Sequence, residues 1–358
     1  MAWSMMSTCH SARPNPVNPV ILSKTIRRKG TGLTRIFITR PIPDRGIRLL
    51  TDTFGPEAVE VSPNDRPITR DELLHGARGA DALLPILTDT VDAAVMDAAG
   101  PQLKVIANYA VGYNNIDVAG ATARGILVTN TPGVLTETTA DLAWALLMAA
   151  ARRICEAERY LRAGLWKSWG PQLFLGVDIH GQTMGIYGMG RIGQAIARRA
   201  KGFGMRILYH DVNRLAPSSE TEMGIAYADK PAFLAESDFI SIHVPLLAET
   251  RHAFGEPEFR AMKDSAVLVN TSRGPVVDEA ALARALKSGQ IFAAGLDVYE
   301  DEPAVHSGLL ECENAVLVPH IGSATRETRS KMAHMAAQNI VARLKGQTPP
   351  NPVNPEVL

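Results

Sequence analysis

From Thr34 onward, short runs rich in β-branched residues alternate with helical patterns, and this alternation leaves very few folds open to the chain. A first series places strands at 35–39, 58–61, 82–87, 104–108 and 126–129, with a helix over 44–53. A second places strands at 183–187, 205–209, 239–244, 266–270, 292–297 and 315–318. Strands separated by helix-length segments pair side by side in parallel, so each series predicts a parallel sheet with helices on both faces. Two such series in 358 residues predict two doubly wound α/β domains around a cleft.

The break between the series falls at the NTPG of 130–133, and Thr138-Thr-Ala-Asp141 then matches a capping box. The helix it opens is expected to run to about Arg162, ahead of Gly164. Its first half is apolar nearly all round, so cover must come from the rest of the subunit or from a second one. A last helix over 325–345 lies beyond the second sheet and is expected to return to the first. The resulting division is 34–133 plus 319–358 for a substrate domain and 134–318 for a cofactor domain. Crossings near 131–135 and 319–323 would form the hinge.

Lys plus Arg and Asp plus Glu each number 37, so the formal net charge is zero and nothing draws the whole protein to nucleic acid or an anionic membrane. An anionic ligand must therefore meet a local site. The 3 cysteines, Cys9, Cys155 and Cys312, are widely spaced with no CxxC, which fits a reducing compartment and argues against a disulfide framework or a zinc site. The most apolar run, Leu142 to Ala151, is too short to span a bilayer. A cytoplasmic protein is expected. Residues 1–33 carry Arg13, Lys24, Arg27, Arg28 and Lys29 and no acid, the composition of an organellar transit peptide. No long amphipathic stretch stands out there, and a disordered tail or an upstream start is the preferred reading. A PNPVNP run in this segment is echoed by NPVNP at 351–355.

Gly188-Met-Gly190-Arg-Ile-Gly193 follows a predicted strand and opens a predicted helix over 191–200, the context in which a GxGxxG binds a dinucleotide. Gly188 permits the tight turn, Gly190 lets backbone approach a pyrophosphate, and Gly193 allows close helix–strand packing. The helix N-terminus presents free amides to the phosphates. Asp211, closing the next strand, can bind the adenosine ribose hydroxyls and repel a 2′-phosphate, which favours NAD over NADP; Arg214 nearby could soften that preference.

Three more segments leave strand ends, where ligands sit in open α/β sheets: NTSRG at 270–274, GLDVYEDEP at 295–303 and PHIGS at 319–323. GMGRIG, NTSRG, GLDVYEDEP and PHIGSAT, in this order, resemble the D-isomer-specific 2-hydroxyacid dehydrogenase family. NYAVGYNNID at 108–117, NTPGVLTETTADLAWALL at 130–147 and WKSW at 166–169 are similar to its glyoxylate/hydroxypyruvate reductase branch. The resemblance covers about Thr34 to Gln347. It implies a flavodoxin-like substrate domain beside a Rossmann domain, a homodimer joined through the helix after Pro132, and NAD(P)H-dependent reduction of a 2-keto acid.

Residue by residue, the resemblance implies Arg273, Glu302 and His320 as the catalytic set. The chemistry agrees, because Arg273 offers a planar fork for a carboxylate and its neighbouring carbonyl. His320 can exchange a proton near neutral pH, and Glu302 beside it would favour imidazolium and orient the ring. Glu300 and Asp301 are adjacent acids; the family spacing selects Glu302. The resemblance also assigns Arg191, Ile192, His243, Pro245, Thr250, Thr271 and Asp297 to the cofactor, with Asp297 at the nicotinamide amide. It assigns the backbone amides of Val111 and Gly112 to the substrate carboxylate. Trp169 resembles an aromatic that reaches the neighbouring subunit's site, and a buried interface aromatic is an equal reading. Two rivals share the catalytic set: phosphite dehydrogenase, similar around WGPQ at 169–172, and an NAD-sensing scaffold like the carboxy-terminal binding protein corepressors.

Overall fold

The structure, a computed structural model, describes residues 34–358, so the expectation for the basic segment 1–33 lies outside the described residues. Two sheets are present. The first comprises β1 (Ile36–Ile38), β2 (Val59–Val61), β3 (Ala82–Leu84), β4 (Val105–Ala107) and β5 (Leu127–Thr129), in the order β2-β1-β3-β4-β5. The second comprises β6 (Thr183–Tyr187), β7 (Arg206–His210), β8 (Ala226–Tyr227), β9 (Phe239–Ile242), β10 (Val267–Asn270), β11 (Ala293–Leu296) and β12 (Ala315–Leu317). Its order is β12-β11-β10-β9-β6-β7-β8. Both sheets are parallel throughout, as in β6, where Met184 stands opposite Ile207 on one side and Phe239 on the other. β1, β3, β4, β5, β9, β10 and β11 are buried along their whole length, which is why they read as continuous apolar runs rather than alternating ones. β8, with 2 residues, is too short to leave a pattern and was not anticipated.

In the second sheet the chain winds outward from β6 in both directions, through β7 on one side and β9 on the other. The crevice outside the strand ends at such a reversal is where ligands bind in open α/β sheets. The first sheet reverses likewise between β1 and β3. The long last helix, Arg326–Leu344, packs Met332, Ala333, Ala336, Ala337 and Ile340 against the first sheet and against the helix Asp44–Phe54. The two connections between the sheets run side by side. Thr139 Oγ1 donates to the Gly322 carbonyl at 3.3 Å, and the hydroxyls of Thr138 and Thr328 lie 2.6 Å apart.

The helix between the sheets corrects the sequence reading in two ways. It begins at Thr136, without a side-chain cap, and Thr138 and Asp141 find partners elsewhere; Asp141 pairs with Arg199 at 2.5 Å. It also stops at Ala151 instead of running on to Arg162. Arg153 adopts a left-handed conformation (φ 51°), its guanidinium pairing with Glu156 at 2.6 Å and lying over the Phe174 ring, and a new helix spans Ile154–Arg162. The chain itself covers one part of the apolar helix, with Ala140, Ala143, Leu146, Leu147 and Ala150 packed against the second sheet and the helix Arg191–Gly202, while Leu142, Trp144 and Met148 stay partly exposed. Exposed apolar side chains gather one step later, at Ile154, Leu161, Leu165, Trp166, Trp169 and Leu175.

The NPVNP stretch has a structural role. Val353 N donates to the Val128 carbonyl at 2.8 Å, and Pro352 bridges antiparallel to Thr129. Asn354 then places its amide along β5, Oδ1 accepting from Val128 N at 2.7 Å and Nδ2 donating to the Ile126 carbonyl at 3.0 Å.

Candidate active site

Gly188 leaves β6 with φ 99°, a conformation that side chains rarely tolerate, and a Cβ at Gly193 would collide with the Gly188 carbonyl. The helix Arg191–Gly202 thus starts hard against the end of β6, with Arg191 exposed at its first position. Gly190 at its N-cap makes no side-chain capping bond and has open space above it, so the first amides of the helix face the crevice uncapped. Asp211 is drawn to the same turn: Oδ2 accepts from Met189 N at 2.7 Å and Oδ1 from Asn213 N at 3.0 Å.

A cleft of about 630 Å³ opens between the sheets, lined by Ile192, His243, Pro245 and Thr271 on the cofactor side and by Val111, Gly112, Arg273, Asp297 and His320 further in. His243 Nδ1 and Thr271 Oγ1 are buried there with no hydrogen-bond partner among the described residues. Buried polar atoms left in this state call for a polar ligand. Burial pushes His243 down to about 3, so the ring is neutral, and Ser241 Oγ holds its Nε2 at 2.7 Å. Uncapped amides, a carboxylate at the same turn and two unpartnered polar atoms fit a nicotinamide dinucleotide.

The reacting end is built from three strand tips. After β10, Asn270 Oδ1 accepts from Ser272 N at 3.0 Å and from Ser272 Oγ at 2.9 Å, while its Nδ2 donates to the Arg273 carbonyl at 2.9 Å. This turn aims Arg273 across the cleft, where NH1 donates to the Ser272 carbonyl at 2.7 Å and Nε to Asn114 Oδ1 at 3.3 Å. A Cβ at Gly112 would land on the guanidinium, so only glycine lets the two walls approach this closely. Burial lowers the Arg273 pKa and Glu302 opposes the shift; arginine titrates so high that the group stays a cation.

His320, after β12, is itself left-handed (φ 49°). Asp297, at the end of β11, holds the residues that follow it, accepting from Ile321 N at 2.5 Å and Gly322 N at 2.8 Å. Burial raises Asp297 to about 6 against the pull of those amides and of His320. The His320 ring places Nδ1 2.7 Å from Glu302 Oε2, and Glu302 Oε1 accepts from Tyr299 N at 3.0 Å. Burial pushes the Glu302 pKa up, but His320, the Tyr299 amide and Arg273 outweigh it and hold the group below its ordinary range. An ionised Glu302 fixes a proton on Nδ1 and leaves Nε2 as the nitrogen that can exchange one with a ligand.

Of the residues anticipated from sequence, Arg273, His320 with its partner Glu302, Asp297, Val111 and Gly112 come together at one end of the cleft. Two stand apart. Thr250 turns inward, Oγ1 donating to the Pro245 carbonyl at 2.7 Å and accepting from Leu247 N at 2.8 Å, so it braces the 245–250 loop. Trp169 is 79% exposed and absent from the lining of its own chain's cleft. Other contributors were missed. Asn108, fully buried, donates to the Gly112 carbonyl at 2.8 Å and to Asn115 Oδ1 at 3.1 Å, and Asn115 reaches the carbonyls of Ile86 and Asp89. Glu279 clamps the segment that carries Glu302, accepting from Glu300 N at 2.6 Å and His306 N at 3.0 Å. The asparagine run was the one signal for the first group; Glu279 read as an ordinary helix-start acid.

A dinucleotide crevice that ends in an arginine and an acid-paired histidine defines the class as a nicotinamide-dependent oxidoreductase. Comparison with known proteins narrows that class. The sequence profile described as D-isomer specific 2-hydroxyacid dehydrogenase, NAD binding domain, matches residues 144–322. A glyoxylate reductase from Korarchaeum cryptofilum is 54% identical over 326 residues, spanning 90% of this chain and 97% of its own. The crystal structure of a glyoxylate reductase from Paecilomyes thermophila superposes with a TM-score of 0.79 at 36% identity, covering 91% of this chain and 99% of that one. An NADPH-dependent glyoxylate/hydroxypyruvate reductase from Sinorhizobium meliloti, solved with NADP and malonate, superposes at 0.76 with 35% identity, covering 90% of this chain and 97% of that one. The chain belongs to the D-isomer specific 2-hydroxyacid dehydrogenases, in their glyoxylate reductase branch.

Proposed function

We propose that this protein reduces glyoxylate or hydroxypyruvate to the 2-hydroxy acid with NADH, and runs the reverse reaction on the product. One observation carries the reading: the Arg273 guanidinium, packed on Gly112, lines the same cleft as the Glu302-paired His320. The nicotinamide, when bound, supplies or takes the hydride. Arg273 binds the substrate carboxylate through its fork and polarises the neighbouring carbonyl, while the amides of Val111 and Gly112 meet the carboxylate from the opposite wall. His320 Nε2 gives the proton to the carbonyl oxygen during reduction and takes it back during oxidation, with Glu302 balancing the imidazolium charge. Closure of the walls excludes water from the transfer. The glycine turn, with Gly188, Gly190, Arg191, Ile192 and Gly193, would hold the pyrophosphate, Asp211 the ribose, and His243, Pro245, Thr271 and Asp297 the rest of the dinucleotide, with Thr250 bracing the loop that carries Pro245. Asp211 favours NAD.

The same reading divides the chain into a substrate domain, 34–133 with 319–358, and a cofactor domain, 134–318, hinged at the paired connections. It also makes the protein a homodimer. The exposed apolar side chains of Ile154, Leu161, Leu165, Trp166, Trp169 and Leu175 suit burial against a second copy of the chain. Among the described residues no helix is long and apolar enough to cross a membrane, and the reading takes the enzyme to be cytoplasmic.

The test is a panel of 2-keto acids with NADH and NADPH, run beside phosphite with NAD. Oxidation of NADH by glyoxylate or hydroxypyruvate supports the reading. Turnover of phosphite alone, or of no substrate at all, defeats it.

A further inference from the structure

Arg214 lies in the 211–216 loop after β7, beside the place where a phosphate on the adenosine ribose would sit, and it is the only cation of that loop. A free arginine there would attract NADP, since a guanidinium fork matches a phosphate in two-point geometry. This one is engaged. Its Nε donates to Glu220 Oε1 and its NH2 to Glu220 Oε2, both at 2.9 Å, and its face lies over the Tyr227 ring, 5.3 Å from the centroid. Glu220, on the short helix Pro217–Met223, is buried, and its Oε1 also accepts the Tyr209 hydroxyl at 2.8 Å. Tyr209 is fully buried within β7, and its oxygen in turn accepts from Leu215 N at 2.8 Å. The anchor for Arg214 is therefore tied to the sheet and to the loop itself. Arg214 and the Tyr209 hydroxyl hold the Glu220 pKa down at about 2, so the pair is charged across the neutral range.

We propose that Glu220 is a specificity-determining residue for the dinucleotide: by occupying the Nε–NH2 edge of Arg214 and neutralising its charge, it weakens the pull of that cation on a ribose 2′-phosphate and leaves Asp211 to select the hydroxyls of NAD(H). This rests on the glycine turn being a dinucleotide site and adds what sets the choice between the two forms. Asp211 alone repels a phosphate, whereas the latch weakens the attraction that would offset the repulsion. Both are needed in a loop that carries an arginine.

The experiment measures equilibrium binding of NADH and NADPH by nucleotide fluorescence, without substrate, for the parent, Glu220→Gln, Arg214→Gln and the double variant. The parent is expected to bind NADH more tightly. Glu220→Gln weakens the latch and should shift the binding ratio toward NADPH by about tenfold or more, the worth of a charge-assisted bond to the phosphate. Arg214→Gln should leave the parent's ratio within about twofold, and in the double variant should cancel the gain. An unchanged ratio in Glu220→Gln overturns the inference, as does a loss of NADPH binding in Arg214→Gln alone. If Glu220→Gln does not fold, the Arg214→Gln comparison decides by itself. A folded parent that binds neither nucleotide is a different result, since it removes the dinucleotide reading and this inference with it.

Discussion

Where the five-stranded sheet meets the cleft it offers Val111, Gly112 and Asn114, backbone and neutral amide held in place by Asn108 and Asn115. Where the seven-stranded sheet meets it, the contributions are ionic: Asp211 at the glycine turn, then Arg273, Asp297 and Glu302. His320 stands on the connection between them. The contrast separates two tasks. A neutral wall can fit the shape of a small carboxylate and withdraw again without stripping a charge of its partners. On the ionic wall each acid is tied by backbone amides or by the histidine, whereas the Arg273 guanidinium, which makes no ion pair among the described residues, lines the cleft. The bond from Arg273 Nε to Asn114 Oδ1 is where the two walls touch.

Substitutions on the ionic wall should be the most damaging. Arg273→Ala is expected to lower kcat/KM for glyoxylate on the order of 10⁴-fold, through a higher KM and a lower kcat together. A KM that stays put would show that the carboxylate is held by the neutral wall instead. His320→Gln should reduce kcat by roughly 10²- to 10³-fold with little change in KM, and near-parental turnover would remove the histidine from proton transfer. The neutral wall answers more gently. Gly112→Ala, whose methyl displaces the guanidinium without removing it, should raise KM by about tenfold to a hundredfold and lower kcat by a smaller factor than Arg273→Ala, as steady-state kinetics would read directly. Kinetics unchanged from the parent would show that the guanidinium does not rest on Gly112 when substrate binds.

The smallest effect is on stability. Asp297 has its pKa raised by burial to about 6, so its contribution to stability is fully present below its unfolded value and is lost as pH rises through about 6. Asp297→Asn cannot ionise. The difference in Tm between variant and parent should therefore move in the variant's favour from about pH 4 to about pH 7, on top of a constant cost for the lost acceptor. A difference that does not vary with pH would place the carboxyl in a far more solvated setting.

The two walls also differed in how plainly they could be read from sequence. Strands buried on both faces must be apolar throughout, so nearly every strand was visible, and the ionic wall announced itself through charged residues at strand ends. The neutral wall was legible only as far as Gly112 and Val111. Asn108, Asn114 and Glu279 act through distances, and neither an asparagine nor a helix-start glutamate distinguishes a strut from a surface residue. The broken helix had a similar cause. Its composition is helical through Arg162, and the stop comes from Arg153 meeting Glu156 and Phe174, the last of them a partner well along the chain. Asp141 resembled a cap because its partner, Arg199, lies on another helix.

The asparagine clip on β5 carries one more consequence. A sheet margin with bare amides and carbonyls invites another molecule to dock there as an extra strand, the usual first step toward aggregates. Here the margin is closed by a strip that cannot serve as a template in its turn: Pro352 and Pro355 have no N–H to offer, and Asn354 pairs through its side chain. The lateral growth of the sheet ends with a segment distant in sequence from β5, and that makes the asparagine between Pro352 and Pro355 a safeguard of solubility.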